Sequence, residues 1–221
     1  MKKILLTVFI VVMGISVYAQ NGVIRELSGT VELKTAGSSS YVSAKSGDAV
    51  NPDTVISTGF KSTALVSVGS ALITVRPLTR LTLTEIRASS GAETINVSLQ
   101  TGRVRVDVNP PAGTRASMSV SSPMATASVR GTSFEFDTRN LKVNNGQVAF
   151  AGNRGHRRLI RGGSSSLVQE DGKAADPVNI KLAEVLPPAP VGRESNGRNS
   201  GERPGSSSGL ITITIGPDSY N

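Results

Sequence analysis

The strongest constraint on this chain is a period-two alternation in short runs. In Arg103-Val104-Arg105-Val106-Asp107-Val108 every second residue is valine and the residues between are charged. Side chains alternate across a strand, so such a run is a strand with one buried face. Leu81-Thr82-Leu83-Thr84, Ile95-Asn96-Val97-Ser98-Leu99 and Phe134-Glu135-Phe136 repeat the pattern. After the first twenty residues no long stretch has a 3.6-residue apolar period. The crossover helices of a parallel α/β architecture are therefore missing.

Between the runs stand turn formers: Ser28-Gly29, Ser46-Gly47-Asp48, Asn51-Pro52-Asp53, Gly69-Ser70 and Asn109-Pro110-Pro111. Gly69-Ser70 predicts a tight hairpin. Asn144-Asn145-Gly146 predicts another, because Asn and Gly both tolerate positive φ. Pro77 ends the strand before it or places that strand near an edge. The alternation around Met118 to Val120 and Ala127 to Val129 is less regular, and Val178 to Val185 reads as a weak strand or one helical turn. The expectation is an all-β protein of short antiparallel strands, arranged as a sandwich or a solenoid-like stack of two sheets.

The first nineteen residues read as a signal peptide. Lys2 and Lys3 precede an apolar run, and Val17-Tyr18-Ala19 offers a cleavage site before Gln20. The run is shorter than the roughly 20 apolar residues of a membrane span. A periplasmic or exported chain follows, with no integral membrane segment after cleavage. Without cysteine it has neither a disulfide nor a lipid-bearing cysteine. Residues 20–186 form the expected β-domain. Residues 187–209, rich in Pro, Gly and Ser, form a disordered linker. Residues 210–221 include Leu210-Ile211-Thr212-Ile213-Thr214-Ile215, a strand-like tail that either pairs with its own domain, pairs with a partner's sheet edge or stays exposed.

The residues expose no catalytic constellation. A single histidine, His156, lies among Arg154, Arg157, Arg158 and Arg161 with no carboxylate in the run, which does not suit a nucleophilic triad. One His and no Cys do not make a structural metal site, and the carboxylates lack calcium-loop spacing. There is no phosphate loop or nucleophile elbow. No enzyme activity, metal or cofactor is expected. The whole-chain charge is +8, and +6 once Lys2 and Lys3 are removed, which is modest for a nucleic-acid binder; no nucleic-acid partner is expected. The run Arg154, His156, Arg157, Arg158, Arg161 is either a solvated loop or a docking patch for peptidoglycan or another anionic envelope polymer.

Ordered motifs add a resemblance. Gly47-Asp48 followed after a gap by Ile56-Ser57-Thr58-Gly59, then Leu99-Gln100-Thr101-Gly102-Arg103-Val104, then Pro123-Met124-Ala125-Thr126-Ala127-Ser128-Val129-Arg130-Gly131-Thr132-Ser133-Phe134, and finally Asn145-Gly146-Gln147-Val148, resemble the FecR domain of bacterial envelope proteins over about residues 45–150. The resemblance implies mainly structural roles for Gly47, Asp48, Thr58, Gly59, Gly102, Arg130, Gly131, Thr132, Phe134 and Gly146. Asp48 and Asp53 suit capping of backbone N–H groups in turns. Arg130 either anchors to a carbonyl or turn carboxylate or contacts a ligand, with Thr132 hydrogen-bonding locally. FecR domains are best known for relaying the state of an outer-membrane transporter to a sigma factor. Here the domain stands behind a signal peptide alone, so the expectation is a detached, non-enzymatic scaffold or sensor module with an envelope protein as partner. Binding to the envelope itself (peptidoglycan, glycan or anionic lipid) through a basic surface patch is the alternative.

Overall fold

The computed structural model describes residues 21–180. The expected signal peptide, linker and C-terminal tail lie outside these residues, as does the stretch from 181 to Val185. The chain first forms β1 (Gly22–Ser28), β2 (Val31–Lys34), β3 (Val42–Ser43), β4 (Ala49–Val50), β5 (Thr54–Thr58) and β6 (Thr63–Val68). It continues through β7 (Ala71–Val75), β8 (Arg80–Ser89), β9 (Ala92–Thr101), β10 (Arg103–Val108), β11 (Arg115–Ser121) and β12 (Ala125–Val129). The described part closes with β13 (Ser133–Asp137), β14 (Asn140–Asn145), β15 (Gln147–Gly152), β16 (Arg158–Arg161), β17 (Ser164–Leu167) and β18 (Val178–Asn179).

These strands build two sheets of nine. Sheet I has the order β18-β17-β14-β13-β10-β7-β6-β1-β4, and sheet II the order β16-β15-β12-β11-β9-β8-β5-β2-β3. The chain visits one sheet for one or two strands and then crosses to the other, so the sheets grow side by side as a stack. β9, β10 and β11 show how: β9 and β11 are neighbours in sheet II and run parallel, with Ile95 opposite Met118 and Val97 opposite Val120, while β10 between them belongs to sheet I. The other strand pairs are antiparallel. The expected two-sheet stack is thus the observed fold, with one parallel pairing inside it.

Alternation decides which residues enter the space between the sheets. On β10, Val104, Val106 and Val108 are buried, and Arg103, Arg105 and Asp107 face outward. Val104 lies opposite Phe136 on one side and Val75 on the other; Val106 lies opposite Phe134 and Ile73. Phe136 of sheet I meets Phe150 of sheet II edge to face, with ring centroids 6.2 Å apart, so the aromatic pair ties one inner face to the other. Leu99, Ile95, Met118, Leu81 and Ile56 complete the facing side. β11 and β12 are as regular as the rest: Met118, Val120, Ala125, Ala127 and Val129 are buried, and the intervening serines and threonine point away. Their pattern is weak in sequence because alanine and serine differ little in hydropathy, although alanine suffices where the neighbouring strand of the same sheet supplies Phe150 opposite Ala127.

The Gly69-Ser70 hairpin is present, with Val68 opposite Ala71. Pro77 lies beyond the end of β7, itself an interior strand, so it terminates rather than marks an edge. The hairpin expected at Asn144-Asn145-Gly146 is not formed. β14 ends at Asn145 in sheet I, and β15 begins at Gln147 in sheet II. Gly146, at φ 84°, turns the chain out of one layer and into the other. Positive φ serves a corner as well as a hairpin, and the local sequence does not distinguish them.

Phe134 is fully buried and Phe60 is 74% exposed. Phe134→Ala should cost about 3–5 kcal/mol, and Phe60→Ala should fall within about 0.5 kcal/mol of the parent. Urea unfolding of the two variants measures the contrast.

Candidate interaction surface

Corners between the sheets recur, and buried serine or threonine side chains pack into them. Three follow one scheme. Gly29 joins β1 to β2 against Ser62, Gly102 joins β9 to β10 against Thr79, and Gly146 joins β14 to β15 against Thr132. Ser62, Thr79 and Thr132 are all buried, and each stands at another crossing of the chain. At Gly102, with φ 90°, a Cβ would fall 2.5 Å from the Thr79 Cα. At Gly146 it would fall 2.5 Å from the Thr132 Cγ2. Only glycine admits both the backbone conformation and the close approach.

The Thr58–Thr79 pair is the most densely bonded of these corners. The Thr58 hydroxyl donates to the Arg76 carbonyl at 2.6 Å and accepts from the Thr79 N–H at 3.0 Å. The Thr58 N–H donates to the Thr79 carbonyl at 2.9 Å. The Thr79 hydroxyl accepts from the Arg103 N–H at 3.0 Å and lies 3.1 Å from the Arg103 carbonyl, to which it can donate. Gly59 donates to the Thr30 carbonyl and accepts from the Leu78 N–H. Buried backbone groups that the crossing chain takes out of the ladders are thereby paired.

The motif residues therefore separate into two sets. Thr58, Gly59 and Gly102 meet at one end of the strands. Arg130, Gly131, Thr132 and Gly146 meet at the other, where the Val108 N–H donates to the Thr132 carbonyl. Phe134 is core. Gly47 and Asp48 lie apart, in the turn before β4. There the Asp48 carboxylate accepts the Lys45 N–H at 2.7 Å, as expected of a turn aspartate. Asp53 makes no such side-chain bond; it takes φ 63° and donates its own N–H to the Leu83 carbonyl.

Two expectations are corrected at the second corner. The Thr132 hydroxyl is buried with no hydrogen-bond partner, since its methyl rather than its oxygen fits the Gly146 corner. Arg130 is exposed, and no carbonyl or carboxylate receives it among the described residues. The expected basic patch is also less concentrated than in sequence. Arg154, His156 and Arg157 lie in the exposed loop before β16, Arg158 pairs with Asp176, and Arg161 sits at the far end of β16 opposite Gln147. β16 forms an outer edge of sheet II.

Two features were not anticipated from sequence. The first is the outward face of sheet I, where Thr74, Arg105, Glu135, Lys142 and Ser165 align across five strands. Arg105 bonds Asp107 at 3.2 Å and lies 4.0 Å from Glu135; Arg103 reaches Asp137 at 3.5 Å. Burial pushes the Asp137 carboxyl up, but the N–H groups of Arg139 and Asn140, the Asn140 amide and the Arg103 charge outweigh it and hold the group below the usual carboxylate range. Asp137 ends β13 and caps the turn into β14, a role that Asp137-Thr138-Arg139-Asn140 could have suggested.

The second feature is a hollow of about 730 Å³ beside that face. Its walls include Arg76, Pro77, Leu78, Arg103, Asp137 and Arg139. Leu78 is 60% exposed at φ 55°, and the neighbouring turn offers Phe60. The sequence signal was an apolar residue directly after Pro77, in a slot that ordinarily takes glycine or asparagine. Among the described residues no group of three or more His, Cys, Asp or Glu side chains is placed to hold a metal ion. No helix among them is long and apolar enough to cross a membrane.

The fold and its corner residues define a two-sheet β-domain whose sequence motifs maintain architecture and whose outward side chains are left for contact. Residues 54–149 match the model of the FecR protein family. Gly47 and Asp48 fall before the match, and the other motif residues fall inside it. Two crystal structures of a candidate anti-sigma factor from Parabacteroides distasonis, at 1.65 Å and 2.50 Å resolution, are similar at a TM-score of 0.46 and 15% identity. The similarity covers 57% of this chain and 59% of that one. No curated protein matches.

Gly102→Ala should destabilise by more than about 2 kcal/mol, combining left-handed strain with displacement of Thr79. Gly47→Ala, at φ 92° but facing open space, should cost only about 1 kcal/mol. Denaturant midpoints of the two variants test the difference. Because the folded pKa of Asp137 is depressed, its stabilisation is complete above the ordinary aspartate pKa of about 4 and is lost as pH falls through the lower folded value. Asp137→Asn should therefore lower the urea midpoint at pH 7 and flatten the parent's decline between pH 4 and pH 2.

Proposed function

We propose that this protein is a non-enzymatic interaction and signal-sensing module of the bacterial envelope, acting in the periplasm or outside the cell after loss of residues 1–19, with another envelope protein as its partner. The observation that carries the reading is the division of labour in the FecR segment. The motif residues that recur through 54–149 are spent on corners and core, as Thr58, Gly102, Gly146 and Phe134 illustrate. A scaffold of this kind holds an outward surface rigid, and preorganisation lowers the entropy cost of binding. The charged row on sheet I and the apolar turns beside it supply contacts of the type protein partners use.

In-cell photocrosslinking at native expression tests the function. Probes on the outer face of sheet I and on the turns that carry Phe60 and Leu78 should yield a reproducible adduct with a distinct envelope protein. Absence of any specific adduct from all positions overturns the reading. The location has a separate readout: osmotic-shock release of a chain beginning at Gln20 is expected, and retention of the uncleaved chain in the cytoplasm refutes it.

A further inference from the structure

Residues 59–62 and 76–79 form two turns locked side by side. In the first, the Ser62 N–H donates to the Gly59 carbonyl at 3.4 Å and Lys61 takes φ 53°. In the second, Pro77 occupies the first central position and Leu78, at φ 55°, the second. The Leu78 N–H donates to the Gly59 carbonyl at 3.2 Å, and Thr58 bonds across to Arg76 and Thr79. The pair is thus fixed by buried bonds while its large apolar side chains, Phe60 and Leu78, point to solvent.

Leu78 is the anomaly. A bulky residue in the left-handed region is strained, and its side chain is too exposed to recover that cost through core packing. Asparagine or glycine would fit the turn better. Backbone strain of this sort concentrates at functional positions. The surroundings indicate what it serves. Lys61 stands 5.6 Å from the Phe60 ring centroid, and Arg76, Arg103 and Arg139 line the hollow below Leu78. The carboxylates there are already engaged: Glu135 lies between Arg76 and Arg105, and Asp137 is held by Arg103, Arg139 and Asn140. Among the described residues the Arg139 guanidinium bonds only the Val168 carbonyl and meets no carboxylate. The surface is therefore apolar and rigid, with a surplus of cations at a concave margin.

We propose that the paired turns are a docking surface for a segment of a partner protein that presents a large apolar side chain with carboxylates beside it. Phe60, Pro77 and Leu78 receive the apolar group, and Lys61, Arg76 and Arg139 meet the carboxylates. Arg76, Arg103 and Arg139 line a hollow rather than a flat face, which a protruding protein segment can enter and a planar lipid surface cannot follow. This inference rests on the protein-binding reading above and names where that binding occurs.

The test uses the full chain in cells, with photoreactive benzoylphenylalanine replacing Phe60 or, as a reference, the exposed Leu159 on β16. An adduct from position 60 is expected, and sequencing of the crosslinked partner peptide should show Asp or Glu flanking an apolar residue. Leu78→Asn should raise Tm by about 2–4 °C, by relieving left-handed strain, while reducing the position-60 adduct at least fivefold. Lys61→Glu combined with Arg76→Glu should reduce it similarly without lowering Tm by more than a few degrees. A lowered Tm for Leu78→Asn, or an undiminished adduct, would assign Leu78 a structural role and overturn the proposal. Adducts from position 159 or sheet I but none from position 60 would sink this surface and leave the interaction reading standing; none anywhere would sink both. Sedimentation of the purified chain with phosphatidylglycerol vesicles, abolished by Phe60→Ser, would assign the turns to lipid and also overturn it.

Discussion

The Thr58 and Thr79 hydroxyls hold the junction on which the two-sheet stack depends. A chain that leaves one sheet for another must take backbone groups out of a ladder, and a buried unpaired group costs about 1–3 kcal/mol. Thr58 and Thr79 offer one donor and one acceptor each at the point where β5, β7 and β10 end or begin. Gly102 is the necessary counterpart, because any larger residue would occupy the space of Thr79. The same exchange of a small hydroxyl residue for a missing Cβ occurs at Gly29 with Ser62. At Gly146 the fit to Thr132 is purely steric, and the hydroxyl is left without a partner.

With its corners fixed, the domain needs little else to be exact. The interior is filled by valine, isoleucine, leucine and alanine from alternating strands, with Phe134, Phe136 and Phe150 supplying the bulk. Such cores tolerate exchange as long as volume and pattern survive, whereas a corner glycine does not. The outward face is freer still. Arg103, Arg105, Glu135 and Asp137 form exposed or half-exposed pairs, each of modest energetic weight. They govern the potential that a partner meets more than they govern folding.

This division explains why the residues that identify the family say little about activity. In this chain Thr58, Gly102, Gly131 and Phe134 serve the fold, as corner bonds, left-handed turns and core. A function particular to this chain has to reside in side chains the architecture does not need, and Leu78 is one that the architecture would be better without.

Alternation alone made most of the burial pattern legible, since it depends only on strand geometry: Val104, Val106 and Val108, or Phe134 and Phe136, face inward whatever their neighbours. The need for glycine at 102 and 146 was likewise readable. Partnership was not. Period two states which face a residue takes and is silent on which sheet its strand joins, so Asn145-Gly146 looked like a hairpin and became a corner. The parallel pairing of β9 and β11 was equally hidden, being made through β10 in the opposite layer. Thr79 and Leu78 are neighbours in one turn, yet one is buried and the other exposed. Only the packing of 59–62 against 76–79 decides that, because it depends on long-range hydrogen bonds that local sequence does not encode.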